Sequence, residues 1–173
     1  MPPSAIHLAS LPHATIRRLE PSKSAGTVIL SPHPDDAALT VSGALQLGRF
    51  EPPVTIGTLF SRSNFTLEGG FADEWEWVTA TRRSEDYCQA EFLGLKLRYY
   101  ELPEATLRDD PIMCCNPNQP IETPAAAVDT LELVVRDLKP ATLIAPLGLD
   151  CHTDHLMTER IVSGMRLTSR LTF

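Results

Sequence analysis

The fold of this chain follows from the stretch VILSPHPDDAALT at residues 28–40. Its apolar, β-branched beginning is typical of a strand that is buried on both faces. Two prolines then prevent a helix from starting at once. The turn between this strand and the next helix therefore carries His33, Asp35 and Asp36. These polar side chains either cap the following helix or form half of a functional site.

Strand-like and helix-like segments alternate along the rest of the chain. The predicted strands are residues 27–31, 54–61, 97–102 and 141–147, and the predicted helices are residues 36–50, 73–94, 123–140 and 154–167. For the third helix, Thr123 is the predicted N-cap and Pro124 the first helical residue. This alternation predicts an α/β fold, a Rossmann-like three-layer sandwich whose mostly parallel sheet is covered on both faces. We expect one domain over residues 1–173.

Composition excludes several classes of function. The chain has 173 residues, is 43% hydrophobic and carries a net charge of −7 without a cluster of basic residues. Nucleic-acid binding is therefore not expected. No apolar run approaches the length of a bilayer-spanning helix, and the N-terminal residues lack a signal-peptide core. We expect a cytoplasmic protein with a small-molecule substrate.

A second polar cluster, GLDCHTDH at residues 148–155, follows the predicted fourth strand. In the common doubly wound strand order, the first and fourth strands are neighbours, and ligands bind outside their carboxyl ends. We therefore expect the two His/Asp clusters of the sequence to meet at one crevice.

The residue types in the two clusters suit hydrolysis at a metal ion. Two histidines and one carboxylate leave a coordination position open for water, and His33, Asp36 and His155 can supply that set. Asp35 points away from its neighbour Asp36 in extended backbone, so it is free to accept a proton. His152 is a second candidate for proton transfer.

Other roles are possible for single residues of these clusters. Asp154 could orient a histidine ligand, or it could only favour the dipole of the last helix. Cys151 is a further candidate metal ligand. The segment from Pro103 to Glu122 either lines the site or is a surface loop.

The motif PHPDDA, followed much later by HTDH, resembles the LmbE/PIG-L family of metal-dependent deacetylases. The segments TRRSEDYCQAEFLG and LVVRDLKPATLIAP are also similar to family patterns, so the resemblance spans most of the chain. It implies a Rossmann-like sheet and a zinc ion, or another divalent metal. It also implies that the substrate is an N-acetylglucosamine-type sugar or glycoconjugate that loses its N-acetyl group.

The resemblance also implies roles for individual residues. His33, Asp36 and His155 match the metal ligands, Asp35 the general base, and His152 the general acid or oxyanion partner. Arg82 and Asp109 correspond to residues that bind substrate.

Family chains normally continue beyond the helix that precedes Phe173, so we expect the family's C-terminal part to be missing here. Such a chain could bind metal without turnover, and its apolar strand at residues 141–147 could pair in a homo-oligomer. A metal hydrolase of another amide or of an ester is a second alternative. A nucleotide-binding domain is disfavoured because no G-x-G-x-x-G motif follows the first strand.

Overall fold

A computed structural model describes residues 26–66, 70–71, 73–114 and 121–165. Its strands are β1 (Thr27–Ser31), β2 (Val54–Thr58), β3 (Phe65–Thr66), β4 (Gly70–Phe71), β5 (Lys96–Tyr99) and β6 (Thr142–Ile144). Its α-helices are α1 (Asp36–Gln46), α2 (Trp75–Leu93), α3 (Ala125–Leu138) and α4 (Thr153–Gly164), and a 3₁₀ helix covers Ala105–Arg108.

The main sheet has the strand order β5-β2-β1-β6, and all of its strands are parallel. This is the doubly wound order expected from the sequence, with the first predicted strand beside the fourth. The carboxyl ends of β1 and β6 therefore open toward the same crevice. A separate antiparallel hairpin, β3-β4, was not predicted, because its strands are too short to show a pattern.

Both faces of the sheet are covered, as the uninterrupted apolar sequence of β1 requires. Val28 and Leu30 pack into a core that also contains residues of α3 and α4, whereas Ile29 packs on the opposite face against residues of α1. The architecture is therefore α/β with a parallel sheet between two helical layers. Among the described helices, none combines the length and apolar character needed to cross a bilayer.

Several element boundaries differ from the predictions. The first helix ends at Gln46 rather than at residue 50, because Gly48 adopts a left-handed conformation with φ 60°. Pro124 is the N-cap of α3 and not its first helical residue, so Thr123 lies one position outside the cap. The last strand of the sheet is shorter than residues 141–147, since Pro146 has no N–H to donate to a strand ladder.

Candidate active site

The two His/Asp clusters meet at the carboxyl ends of β1 and β6, although more than a hundred residues separate them in sequence. His33 Nε2 lies 2.9 Å from Asp154 Oδ2, and His33 Nδ1 lies 3.3 Å from His155 Nε2. A cavity of about 240 Å³ opens over them. Its lining includes His33, Asp35, Asp36, Arg82, His152 and His155.

Three possible ligand atoms form a small triangle at the base of this cavity. His33 Nδ1 lies 3.2 Å from Asp36 Oδ2, which lies 3.1 Å from His155 Nε2. The third side, between the two imidazole nitrogens, measures 3.3 Å. Ligands about 2.0–2.1 Å from a tetrahedral zinc ion lie about 3.3–3.4 Å from one another. The triangle therefore has nearly the size of one face of such a coordination shell.

The other ring nitrogen of each histidine in this triangle contacts a carboxylate. His33 Nε2 contacts Asp154, which is fully buried and also accepts hydrogen bonds from the Ala105 N–H and from Arg108. His155 Nδ1 lies 2.6 Å from Asp150 Oδ2. Carboxylates in these positions set the tautomer of a metal-binding histidine, so that Nδ1 of His33 and Nε2 of His155 face the cavity.

The electrostatics of the triangle favour positive charge. Burial disfavours a charged imidazole, but hydrogen bonds to Asp154 and Asp36 outweigh burial and raise the pKa of His33 to about 10. Burial likewise opposes ionisation of Asp36, yet its hydrogen bonds to His155 and His33 hold the pKa of that carboxyl well below its usual range. The triangle thus favours a positive charge, which either protons or a divalent cation would supply.

The structure also brings the imidazole of His152 to this site. Nitrogens of His33, His152 and His155, one from each ring, lie within 4.8 Å of one another, so these three side chains could hold a metal ion. Two sets of candidate ligands therefore share His33 and His155 and differ in the third member, Asp36 or His152. Cys151 belongs to neither set.

Asp35 lies beside the triangle without belonging to it. It occupies the N-cap position of α1 in a left-handed conformation with φ 106°, but its side chain makes no capping hydrogen bond to the helix. Its Oδ1 accepts a hydrogen bond of 3.0 Å from Arg82. Burial raises the pKa of Asp35, although the nearby Arg82 opposes this shift.

Arg82 connects Asp35 to a buried carboxylate that was not predicted. Its Nη1 lies 2.5 Å from Glu104 Oε1 and 2.6 Å from Ser63 Oγ. Glu104 is 5% exposed and also accepts a hydrogen bond from Ser63. One side of the guanidinium thus binds Glu104 and Ser63, and the other side holds Asp35 at the edge of the cavity.

His152 caps α4 and at the same time lines the cavity. Its Nδ1 accepts a hydrogen bond from the backbone N–H of Asp154, so the neutral ring carries its proton on Nε2. Burial and the neighbouring His33 lower the pKa of His152 to about 4. A neutral hydrogen-bond donor is therefore available at this position.

The described part of the segment from Pro103 to Glu122 lines the site. Glu104, Ala105, Thr106 and Ile112 border the cavity, while residues 115–120 lie outside the described ranges. Asp109 is exposed in a left-handed turn after the 3₁₀ helix and does not border the cavity. The structure therefore brings together the predicted site residues with the exception of Asp109.

Sequence reasoning missed three residues that support the site, namely Asp150, Glu104 and Arg108. Asp150 belongs to the second polar cluster, GLDCHTDH, so its closeness to His155 in the sequence already indicates a possible contact. Glu104 and Arg108 lie in an irregular segment whose path no periodicity reveals.

The chain that carries this geometry is similar to proteins of one known family. The model of the PIG-L family, described as GlcNAc-PI de-N-acetylase, matches residues 28–165. A curated relative, 2′-N-acetylparomamine deacetylase from Streptomyces fradiae, is 29% identical over 158 residues. That alignment covers 88% of this chain and 56% of the relative, so the chain spans about half the length of this protein.

Solved structures agree with the fold. N,N′-diacetylchitobiose deacetylase from Pyrococcus horikoshii matches with a TM-score of 0.58 and 20% identity, over 79% of this chain and 47% of that one. A deacetylase from the biosynthesis pathway of teicoplanin matches with a TM-score of 0.60 and 18% identity, over 79% and 60% of the two chains. At these identities the likeness concerns the fold alone.

Proposed function

This chain belongs to the PIG-L family, and we propose that it is a metal-dependent hydrolase that removes an N-acetyl group from an N-acetylglucosamine-type sugar or glycoconjugate. The observation that carries this proposal is the triangle of His33 Nδ1, Asp36 Oδ2 and His155 Nε2, with sides of 3.1–3.3 Å. The deacetylase relatives support the reaction type.

We assign the metal, with zinc as the first candidate, to the set with Asp36 rather than to the set with His152. Nδ1 of His152 already accepts the backbone N–H of Asp154, so the neutral ring carries its proton on Nε2 and offers no lone pair to a metal ion. The triangle with Asp36, in contrast, has nearly tetrahedral dimensions. When bound, the ion would polarise the acetamide carbonyl and lower the pKa of a water molecule toward about 7.

Asp35 is the proposed general base. Its carboxylate borders the cavity next to the triangle and is oriented by Arg82. It would accept a proton from the attacking water and later return it to the departing amine, so that no proton is gained or lost over the reaction. The left-handed backbone at Asp35 turns this side chain away from Asp36, which leaves the two adjacent carboxylates with different roles.

His152 is the proposed partner of the developing oxyanion. With its proton on Nε2, the ring can donate a hydrogen bond to the carbonyl oxygen as negative charge accumulates there. The hydrogen bond at Nδ1 prevents the ring from turning over, so that this donor is preorganised.

The cavity and the relatives together support an acetylated amino sugar as substrate. A volume of about 240 Å³ suits one sugar ring, and the curated relative is a deacetylase of 2′-N-acetylparomamine. Arg82 borders the cavity and remains a predicted substrate contact. Asp109 does not line the cavity. It therefore remains a predicted substrate contact only for a substrate that extends beyond the cavity.

A matched pair of adjacent substitutions tests the proposal. Asp36→Asn should lose most of the bound zinc because it removes a charged ligand. Asp35→Asn should keep zinc but lower kcat by about 10²–10⁴-fold, because no proton acceptor remains. Metal content and amine release from N-acetylglucosamine and 2′-N-acetylparomamine are measured on the same preparations, with Asp137→Asn, an exposed carboxylate of α3, as the control.

Opposite results would change the assignment in defined ways. Loss of metal in Asp35→Asn with retention in Asp36→Asn would exchange the two roles. Full zinc occupancy without amine release from any N-acetylated sugar in the unaltered protein would instead favour a metal-binding homologue without this turnover.

A further inference from the structure

A second cavity adjoins the candidate active site and extends along α2. It has a volume of about 530 Å³ and shares Asp35, Phe65 and Arg82 with the cavity above the histidines. The two cavities therefore adjoin each other at the Asp35–Arg82 pair, and a ligand that extends from the first across this pair would reach the second. The proposed reaction uses only the first cavity.

One wall of this groove is formed by α2, from two adjacent stripes of the helix, one of which includes Val78 and Arg82. Trp77, Thr81 and Glu85 follow one another at intervals of four residues, so they lie on the same side of the helix. At a rise of about 1.5 Å per residue, the stripe is about 12 Å long, which is close to the length of a two-ring sugar. The opposite wall is formed by Phe65 and Thr66 of β3.

Two aromatic rings border the groove and are accessible to solvent. The exposed fraction is 63% for Trp77 and 41% for Phe65. A large aromatic ring stabilises a protein or a complex most when its surface is buried. The exposed ring of Trp77 therefore has apolar surface that a ligand could cover. Rings of this kind cover the apolar C–H faces of a sugar or cyclitol, and they also attract cations.

The charges of the groove favour a cationic ligand. Asp35 and Glu85 both border it, and Glu85 lies at the end of the helical stripe. Arg82 is the positive group in the lining, but its guanidinium lies 2.5 Å from Glu104 and 3.0 Å from Asp35, so its charge is locally compensated. A carboxylate beyond two aromatic rings is an arrangement that suits an ammonium group on a six-membered ring.

We propose that this groove binds a second ring of the substrate, a ring that carries ammonium groups and is joined to the sugar that bears the acetamide. This inference rests on the proposed deacetylase function and narrows it to acetylated amino-sugar conjugates with at least two rings. Trp77 stacks on the face of the second ring, and Glu85 pairs with one of its ammonium groups.

The test compares substrates that differ only beyond the acetamide-bearing ring. The probes are N-acetylglucosamine with one ring, N,N′-diacetylchitobiose with a neutral second ring, and 2′-N-acetylparomamine with a cationic aminocyclitol. In the unaltered protein, kcat/KM should be highest for 2′-N-acetylparomamine. Trp77→Ala should lower its kcat/KM relative to that of N-acetylglucosamine by about tenfold, mainly through KM, as expected for a lost stacking interaction of about 1.4 kcal/mol.

Matched variants separate stacking from charge. Trp77→Phe should restore most of the preference, because a smaller aromatic ring remains. Glu85→Gln should lower kcat/KM for 2′-N-acetylparomamine but not for N,N′-diacetylchitobiose. Phe92→Ala removes another exposed aromatic ring of α2 and should leave the ratio between substrates unchanged. Equal effects of Trp77→Ala on all three substrates, or no effect, would overturn the inference.

A binding measurement keeps this inference separate from the proposed function. Trp75 and Trp77 are the two tryptophans of the chain, so Trp75→Phe leaves Trp77 as the sole reporter of fluorescence. Paromamine, the deacetylated product, should change this fluorescence and should bind at least fivefold more weakly to Glu85→Gln in the same background. Binding of this kind without amine release would support the groove and reject the deacetylase. Amine release without any change of the Trp77 fluorescence would support the deacetylase and reject the groove as a binding site.

Discussion

At the scale of single residues, the candidate site depends on carboxylates that stand behind the histidines as much as on the histidines themselves. Asp154 holds His33 and is itself surrounded by donors from Ala105 and Arg108. Asp150 holds His155 and, through its other oxygen, accepts the backbone N–H of His152. One side chain therefore orients a proposed metal ligand and shapes the turn that carries His152, the proposed oxyanion partner.

Removal of the charge at Asp150 should weaken metal binding. In Asp150→Asn, one oxygen remains for the His152 N–H, but the anionic partner of His155 Nδ1 is lost. We expect the dissociation constant for zinc to rise about 10–100-fold, the range observed for such outer carboxylates. Competition with a chromophoric chelator measures this value directly, without substrate.

Asp137→Asn is the control for this experiment, since Asp137 is an exposed carboxylate of α3 that pairs with Arg136 rather than with a residue of the site. An unchanged zinc affinity in Asp150→Asn would mean that the contact between Asp150 and His155 has no influence on the ion.

At the scale of elements, α4 carries one of the proposed ligands and begins inside the site. His152 is its N-cap, and the hydrogen bond from the Asp154 N–H satisfies one of the donors that every helix start leaves open. The short bridge between Met113 and His152 fixes the same turn from the other side. The start of α4 is thus stabilised by a side chain that also lines the candidate active-site cavity.

The two roles of His152 can be separated by substitution. His152→Ala should lower the free energy of unfolding by about 0.5–2 kcal/mol, because the cap is lost, and should also lower kcat. His152→Asn should recover most of the stability, since asparagine is a favourable N-cap, but not the rate. Urea unfolding and amine release are measured for both variants; full activity of His152→Asn would remove this side chain from the mechanism.

At the scale of the whole molecule, the sheet order that assembles the site also leaves β6 at an edge. Within the described ranges, β6 pairs with β1 on one side. Next to it lies a cavity of about 570 Å³ whose border includes Leu39, Leu147 and Leu149. Their exposed fractions are 80%, 52% and 80%, so an apolar surface lies beside a strand edge that has no partner among the described residues.

This surface should promote association between copies of the chain. We expect light scattering to show an apparent mass that rises with concentration, because an uncharged edge strand readily pairs with another. The double variant Leu39→Lys and Leu149→Lys should shift the protein toward the monomer. Leu47→Lys, which changes an equally accessible leucine outside this cavity, should not. A strictly monomeric unaltered protein would contradict the prediction.

The sequence alone determined the layers of the fold and the location of the site. The short β-branched run at 27–31 predicts a strand covered on both faces, and the polar clusters at its end and after the fourth strand are local features of the sequence. The similarity of PHPDDA and HTDH to one family then pointed to metal-dependent deacetylation. The predictions of the fold and of the family are confirmed, because hydrophobic period and turn chemistry are properties of neighbouring residues.

Only the tertiary structure decided which groups touch across the chain. The contact of Asp150 with His155, the link from Glu104 through Arg82 to Asp35, and the exposed position of Asp109 depend on where irregular segments run. Such segments have no period, and their paths are set by the burial of polar groups that must find distant partners, as Asp154 finds His33. The same holds for the groove beside α2, whose stripe is visible in the sequence but whose facing wall comes from a hairpin that only the fold places there.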